Sequence, residues 1–110
     1  MTEITFEDWK RLELKVGKII EVVRIPKTEK LYKLEVDIGR QKIQIVTSLV
    51  PYYTPEELLG KKIIVLINLK STKFAGETSE GMLLCAEDEC GGKCVLLTVE
   101  KDIEAGTDVT

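Results

Sequence analysis

The three cysteines are the side chains of this sequence best suited to holding a metal ion, because thiolates are strong zinc ligands. Cys85, Cys90 and Cys94 follow the spacing C-x4-C-x3-C, and the chain contains no histidine. This is not the spacing of a zinc ribbon, and no histidine can complete a fourth ligand. We therefore expect no metal site.

The same cysteines could form a disulfide. Cys90 and Cys94 flank the segment Gly91-Gly92-Lys93, so a three-residue hairpin loop would place them opposite each other and permit a bond. Cys85 lies in an apolar run and is expected to be a small buried hydrophobic residue.

Groups suited to catalysis are scarce. The absence of histidine removes the commonest general base near neutral pH, and with it serine-histidine and cysteine-histidine chemistry. The acids Glu56-Glu57 and Glu87-Asp88-Glu89 fit a helix start and a turn, where they are expected to be solvated. No phosphate-binding glycine loop occurs. The sequence predicts a binding protein rather than an enzyme, with no cofactor.

Charge is divided unevenly along the chain, although the net charge is only -3. The segment 9–73 carries an excess of +7, whereas residues 1–8 carry -3 and residues 74–110 carry -7. A basic body of this kind can present a face that attracts phosphate if the fold places the acidic third elsewhere. The alternative is a set of dispersed, solvated lysines.

The length of 110 residues predicts one domain spanning residues 1–110, with a single core. No stretch approaches the roughly 18 apolar residues of a membrane helix. The acidic start MTEITFEDWK lacks the features of a secretory signal, so a cytoplasmic location without a membrane partner is expected.

The first secondary-structure element that the sequence predicts is a short helix capped by Thr5. A strand from Leu14 to about Val23 follows, with Gly17 as a bulge or bend. The segment Leu31–Ile38 alternates between polar and apolar residues, and a turn at Gly39-Arg40 predicts a hairpin with one buried face.

The second half of the chain begins with Thr54–Gly60, which has the capping threonine, early proline and final glycine of a short helix. Lys61–Leu69 and Gly81–Ala86 are expected as strands separated by a loop over Lys70–Glu80. A turn at Gly91-Gly92 and short strands in a β-rich tail complete the pattern.

This order predicts an all-β fold: a five-stranded OB-fold Greek-key barrel with a short helix between strands 3 and 4 and a β-rich C-terminal extension. A small β-barrel of another topology is the alternative from the pattern alone.

Several segments resemble the tRNA-binding domain family, a module attached to many methionyl-tRNA synthetases and found in free-standing structure-specific tRNA-binding proteins. The resemblance runs from about Phe6 to Val109. It is carried by the segments KLYKLEVDIG (30–39), QIV (44–46), VPYYTPEEL (50–58), NLK (68–70) and SEGMLL (79–84).

The resemblance implies an OB-fold that binds tRNA by shape with little reading of base sequence, as a homodimer that serves an aminoacyl-tRNA synthetase, most often the methionyl enzyme. OB barrels offer a curved basic face that can follow a sugar-phosphate backbone. Matching the family's motif places the RNA-binding surface on six residues: Lys33, Asn68, Lys70, Lys73, Ser79 and Met82. Met82 is the residue expected to pack against a splayed base or ribose.

Two departures from the family pattern affect these expectations. Ala75 stands where the family often carries a cation, which predicts the loss of one phosphate contact. Thr47-Ser48 replaces a serine-glycine pair, so a left-handed turn there would be strained.

An alternative function is that of a small secretion chaperone with a related OB dimer, which presents a hydrophobic pocket to peptides. A purely structural interaction domain is the third possibility.

Overall fold

The structure is a computed structural model that describes residues 1–110. Its two helices are α1 (Phe6–Lys10) and α2 (Pro55–Leu58). Its ten strands are β1 (Leu14–Arg24), β2 (Tyr32–Asp37), β3 (Lys42–Thr47), β4 (Lys62–Leu66), β5 (Thr72–Phe74), β6 (Glu77–Ser79), β7 (Met82–Leu83), β8 (Cys85–Glu87), β9 (Cys94–Leu96) and β10 (Asp108–Val109).

Alternating side chains build the core of the barrel. In β2, Tyr32, Leu34 and Val36 are buried, whereas the residues between them are only partly covered. Neighbouring side chains of a strand point to opposite faces of the sheet, so the apolar set faces inward. The predicted hairpin of β2 and β3 with one buried face is confirmed.

The five barrel strands are antiparallel and follow the hydrogen-bonded order β3-β2-β1-β4-β7. The barrel nearly closes where the segment before β7 returns to β3. There the Glu80 amide donates to the Gln44 carbonyl oxygen at 2.8 Å, and the Val46 amide donates to the Ser79 hydroxyl at 3.0 Å. This arrangement confirms the predicted OB-fold barrel.

The helix between the third and fourth barrel strands is α2, as the sequence predicted. The Glu57 amide donates to the Thr54 hydroxyl at 3.2 Å, and the Thr54 amide donates to the Glu57 carboxylate at 2.8 Å. This reciprocal capping box satisfies two backbone donors at the helix start. Leu58 then packs into the core with no exposed surface.

The bulge of β1 lies elsewhere than expected. The pairing with β2 shifts between Ile19 and Glu21, and Gly17 pairs regularly with Ile63 of β4. A Cβ atom on Gly17 would lie 2.6 Å from Cγ1 of Val36. Glycine is required here for close packing rather than for a bend.

The C-terminal extension is β-rich, as predicted. β8 and β9 form a separate two-stranded ribbon. β10 pairs with the first residues of β1, Leu14 and Lys15, on the side that β2 leaves open. The tail therefore covers part of an edge of its own barrel. Neither of the two helices is long and apolar enough to cross a membrane.

Candidate nucleic-acid interface

The segment Lys70–Glu80, expected to be a loop, contains the hairpin of β5 and β6. Its turn is formed by Ala75 and Gly76, whose φ angles are 52° and 82°. Two successive residues with positive φ are the signature of a type I′ turn, which matches the twist of the flanking strands. The structure therefore has a short, exposed hairpin where the sequence predicted a loop.

The hairpin is attached to the barrel through its second strand. The Gln44 side-chain amide donates to the Thr78 carbonyl oxygen at 2.8 Å. The buried Ser79 hydroxyl accepts from the Val46 amide and donates to the Gly81 carbonyl oxygen, each at 3.0 Å. These bonds fix the hairpin against β3.

Lys70 and Lys73 are exposed, and neither forms an ion pair. Lys70 precedes the hairpin, and Lys73 lies in β5. Lys33, in β2, reaches the hairpin from the barrel: its Nζ atom lies 3.6 Å from the Glu77 carboxylate. The three predicted lysines therefore belong to one region, although Lys33 is partly neutralised by Glu77.

A groove of about 300 Å³ lies between the hairpin and the barrel. Most of its lining side chains are apolar, and Lys70 is its only charged residue. The lining residues are Leu31, Ile45, Val46, Thr47, Ser48, Leu69, Lys70, Thr72, Phe74, Ser79, Gly81, Met82 and Leu83. Three predicted site residues, Lys70, Ser79 and Met82, thus meet at one groove.

Met82 and Ser79 differ in whether their side chains can contact a ligand. Met82 is 55% exposed, so its side chain is free to contact a ligand. The Ser79 hydroxyl lies inside the protein, where its single O–H donates to the Gly81 carbonyl oxygen and its oxygen accepts from the Val46 amide. Ser79 therefore shapes the groove.

Asn68 lies outside the groove, just before Leu69 and Lys70. Its Oδ1 atom accepts from the Glu13 amide at 3.0 Å, and its Nδ2 atom donates to the Arg11 carbonyl oxygen at 2.7 Å. The side-chain amide therefore anchors the connection between α1 and β1 to the end of β4. In the free protein Asn68 positions the loop that carries Lys70.

Sequence reasoning did not place Phe74 in the site. Its ring lines the groove although the residue is 44% exposed. An aromatic residue in a polar motif loop was the available signal, but the ordinary role of aromatic residues in cores outweighed it.

The chain makes no left-handed turn after β3, so the strain that such a turn would cause at Thr47-Ser48 does not arise. Neither Thr47 nor Ser48 has a positive φ angle; among residues other than glycine, only Lys27 and Ala75 do. The left-handed residue of this region is instead Ala75, in the hairpin turn.

The cysteines do not converge as the sequence suggested. Cys94 lies opposite Glu87, and Cys90 is exposed in the turn. The Asp88 carboxylate accepts from the Gly92 and Lys93 amides at 2.9 and 3.2 Å, which holds a wider turn than the three residues expected. The predicted Cys90–Cys94 placement is therefore wrong, and all three thiols are free.

Cys85 has Cys94 as its thiol neighbour. Burial, together with the interaction with the Cys94 thiol, raises the pKa of the Cys85 thiol to about 12. Cys85 is therefore a protonated thiol at neutral pH. Both residues pack against the core, so Cys85 has the expected hydrophobic role, although it is only partly buried.

Three ion pairs connect the basic body of the chain with its acidic last third. They are Lys15–Asp108, Lys33–Glu77 at 3.6 Å and Lys62–Asp102 at 2.9 Å. The hydrogen bond from Lys62 holds the pKa of the Asp102 carboxyl below its usual value. The acidic tail thus neutralises part of the basic body but leaves Lys70 and Lys73 uncompensated.

Comparison with known proteins yields sequence relatives among synthetases. A methionine--tRNA ligase of Methanocaldococcus jannaschii is 50% identical over 109 residues, which are 99% of this chain and 17% of the ligase. A methionine--tRNA ligase of Archaeoglobus fulgidus is 48% identical over 97% of this chain and 16% of the ligase. The chain therefore spans about a sixth of the length of these relatives.

Solved structures with the same fold include two kinds of protein. A methionyl-tRNA-synthetase-related protein from Pyrococcus horikoshii is 39% identical, with a TM-score of 0.94 over 100% of both chains. The chaperone CsaA from Bacillus anthracis is 28% identical, with a TM-score of 0.89 over 99% of this chain and 100% of CsaA.

The family model of the tRNA binding domain matches residues 14–108. This match covers all five barrel strands, both strands of the hairpin and every predicted site residue. The chain belongs to the tRNA-binding domain family.

Proposed function

We propose that this protein is a sequence-tolerant tRNA-binding module that holds tRNA against the β5–β6 hairpin. The observation that carries the proposal is the pair of uncompensated lysines, Lys70 and Lys73, beside an apolar groove in a chain of this family. Exposed lysines attract phosphate without reading bases. Lys33 and Met82 extend the same surface, and Asn68 and Ser79 hold its loops in place.

The test is binding to total tRNA by electrophoretic mobility shift at a series of salt concentrations. With roughly three to five phosphate contacts, the logarithm of affinity should fall against the logarithm of salt with a slope of about -2 to -5. A flat salt profile, or strong selection of one tRNA at matched salt, contradicts the proposal.

The tRNA would be delivered to an aminoacyl-tRNA synthetase, with the methionyl enzyme as the first candidate. Methionine--tRNA ligases carry a segment similar to nearly all of this chain. Even a module with a low affinity for tRNA raises the local tRNA concentration for a catalytic partner to which it is linked or bound. The expected result is a lower KM for tRNA when this module is added to, or fused with, a synthetase that lacks it.

The module is a homodimer in this proposal. α1 has no buried residue, and its apolar side chains Phe6 and Trp9 are 67% and 39% exposed. They lie around a concavity that also includes Val109 of the edge strand β10. An exposed apolar patch beside a free strand edge favours a second copy of the chain as its occupant.

Sedimentation equilibrium tests the dimer. The expected mass at micromolar concentration is twice the 12.4 kDa of one chain, and Phe6→Ser should shift the equilibrium toward the monomer. A monomer at this concentration contradicts the dimer, whether or not the protein binds tRNA.

Peptide binding is the second candidate function, because the fold is close to that of CsaA. The groove beside the hairpin is mostly apolar and could accept a peptide side chain. Two separate binding measurements decide between the functions: binding of an unfolded peptide at low micromolar concentration, together with the absence of salt-dependent tRNA binding, favours the chaperone function.

A further inference from the structure

The groove beside the hairpin has a composition that phosphate binding alone does not explain. Leu69, Phe74 and Met82 are 42%, 44% and 55% exposed at its rim. Phosphates and riboses of a paired duplex gain little from such side chains, because they contact lysines and hydroxyls instead. The apolar rim indicates a ligand with an apolar face.

The floor of the groove is formed by buried barrel residues, including Ile45 and Leu83. Phe74 lies on one side, at the end of β5 in the hairpin, and Met82 lies on the other, at the start of β7. Strand pairing thus holds Phe74 and Met82 in place, whereas Leu69 lies in the connection between β4 and β5.

Charge complementarity identifies the class of ligand. No acidic residue lines the groove, although the whole chain has a net charge of -3. Lys70 lies in its wall, and the hydroxyl residues Thr47 and Ser48 line it as well. A flat apolar face, polar edges and a negative charge nearby are the features of one unstacked nucleotide.

We infer that the groove binds a single unpaired nucleotide of the RNA, with its base against the Phe74 ring and Met82 and its phosphate near Lys70. This inference rests on the proposed tRNA-binding function and on the Met82 contact that the family resemblance implies, and it adds the Phe74 ring as the face on which the base stacks. Stacking on an aromatic ring tolerates any base, because every base has a π face. The site therefore selects unpaired nucleotides without selecting a sequence.

The experiment compares two RNAs at one salt concentration: a tRNA, and a fully paired RNA duplex of similar length with no unpaired nucleotide. Phe74→Ala should weaken tRNA binding about tenfold, the effect of losing one stacked base, and should leave duplex binding unchanged. Phe74→Trp should restore tRNA binding. Lys70→Ala should weaken binding of both RNAs.

Leu59→Ala is the matched control for an exposed apolar side chain, because Leu59 is 57% exposed and lies outside the groove. It should bind both RNAs as the unchanged protein does. Equal losses for tRNA and duplex in Phe74→Ala, or no loss with tRNA, overturn the inference. Circular dichroism melting of each variant verifies that the comparison is made on folded protein.

A fluorescent base gives a direct readout. The fluorescence of a stem-loop RNA with 2-aminopurine at an unpaired position should be quenched when the unchanged protein binds. Phe74→Ala should abolish the quenching. The unpaired nucleotide of a tRNA could come from a loop or from the single-stranded 3′ end, and a tRNA that lacks this 3′ end distinguishes the two. Retained sensitivity to Phe74→Ala assigns the base to a loop, and lost sensitivity assigns it to the 3′ end.

The outcomes also separate this inference from the function on which it rests. If no RNA binds in a salt-dependent way, the proposed function fails. If tRNA binds with the expected salt dependence but the Phe74 variants bind like the unchanged protein, only the nucleotide site fails. If an apolar peptide rather than RNA requires Phe74, the groove is a peptide site and the inference is wrong.

Discussion

The Ser79 hydroxyl accepts a hydrogen bond from the Val46 amide at 3.0 Å. This bond joins the β5–β6 hairpin to β3 at the closing edge of the barrel, so the candidate RNA-binding surface is held by the same contact that nearly completes the fold. A change at Ser79 is therefore expected to act first on stability.

Ser79→Ala should lower the free energy of unfolding by about 1 to 3 kcal/mol, because it leaves the buried Val46 amide without an acceptor. Urea unfolding measures the effect, and Ser48→Ala, at an exposed neighbouring serine, is the control that should change little. Unchanged stability with weakened tRNA binding would instead assign the hydroxyl to the RNA.

Lys70→Ala and Lys73→Ala should each weaken tRNA binding by about 0.5 to 1.5 kcal/mol and reduce the salt slope by about one. Lys101→Ala is the control, because Lys101 lies among Glu100, Asp102 and Glu104, whose charges repel phosphate. Mobility shift over a salt series provides both quantities. Equal losses in all three variants would indicate diffuse attraction and remove the assignment to the hairpin.

Ala75→Arg should tighten tRNA binding, because it adds a cation to the hairpin two residues from Lys73. Arginine meets the same left-handed backbone that alanine already occupies, with φ at 52°, so no new backbone strain is introduced. The same mobility-shift series measures the gain. Tighter binding without a steeper salt slope would show that the added cation does not contact phosphate.

Ala75→Asn should stabilise the hairpin by about 0.5 to 1 kcal/mol, because asparagine accepts the left-handed conformation that costs other residues about 1 to 2 kcal/mol. Slower amide hydrogen exchange in β5 and β6 is the expected readout. Replacing Gly76 instead, whose φ is 82°, should accelerate exchange there. Faster exchange in Ala75→Asn would contradict a strained turn.

The Lys62–Asp102 pair predicts a specific pH dependence. The pKa of Asp102 is lowered in the folded protein by Lys62, so the charged carboxylate stabilises the fold above its unfolded pKa. That contribution is lost as the pH falls through the folded pKa. Asp102→Asn should therefore melt below the unchanged protein at pH 7, and the difference should shrink toward zero in acid.

Thermal melts from pH 7 to pH 3 measure this difference. Glu100→Gln, in the same exposed tail but without an ion pair, is the control and should show a smaller, flatter difference. A gap between Asp102→Asn and the unchanged protein that widens in acid would contradict the sign of the shift.

The sequence predicted the elements whose signals are local. The Thr54 cap with Glu57 three residues later, and the alternation from Tyr32 to Asp37, each fix their element within a few residues. The β5–β6 hairpin was missed because its strands are three residues long and polar, and its turn has alanine where asparagine or glycine would have marked it.

Sequence signals also predicted only part of the candidate site, because they are local. Family motifs pointed to Lys70, Lys73 and Met82, which the fold brings to one region. The internal hydrogen bonds of Asn68 and Ser79 depend on partners 57 and 33 residues away in the chain. No local pattern encodes such partners, so the positioning role of both residues required the structure.

The pairing of β10 with β1 joins Leu14 to Val109, near opposite ends of the described chain. β1 is also the strand that β2 and β4 flank, so the first strand of the barrel has all its neighbours only after β10 pairs with it. Long-range pairings of this kind slow folding, because the whole intervening chain must be closed into a loop first. Until β10 pairs, Leu14 and Lys15 present an unpaired strand edge to which a strand of another chain can bind.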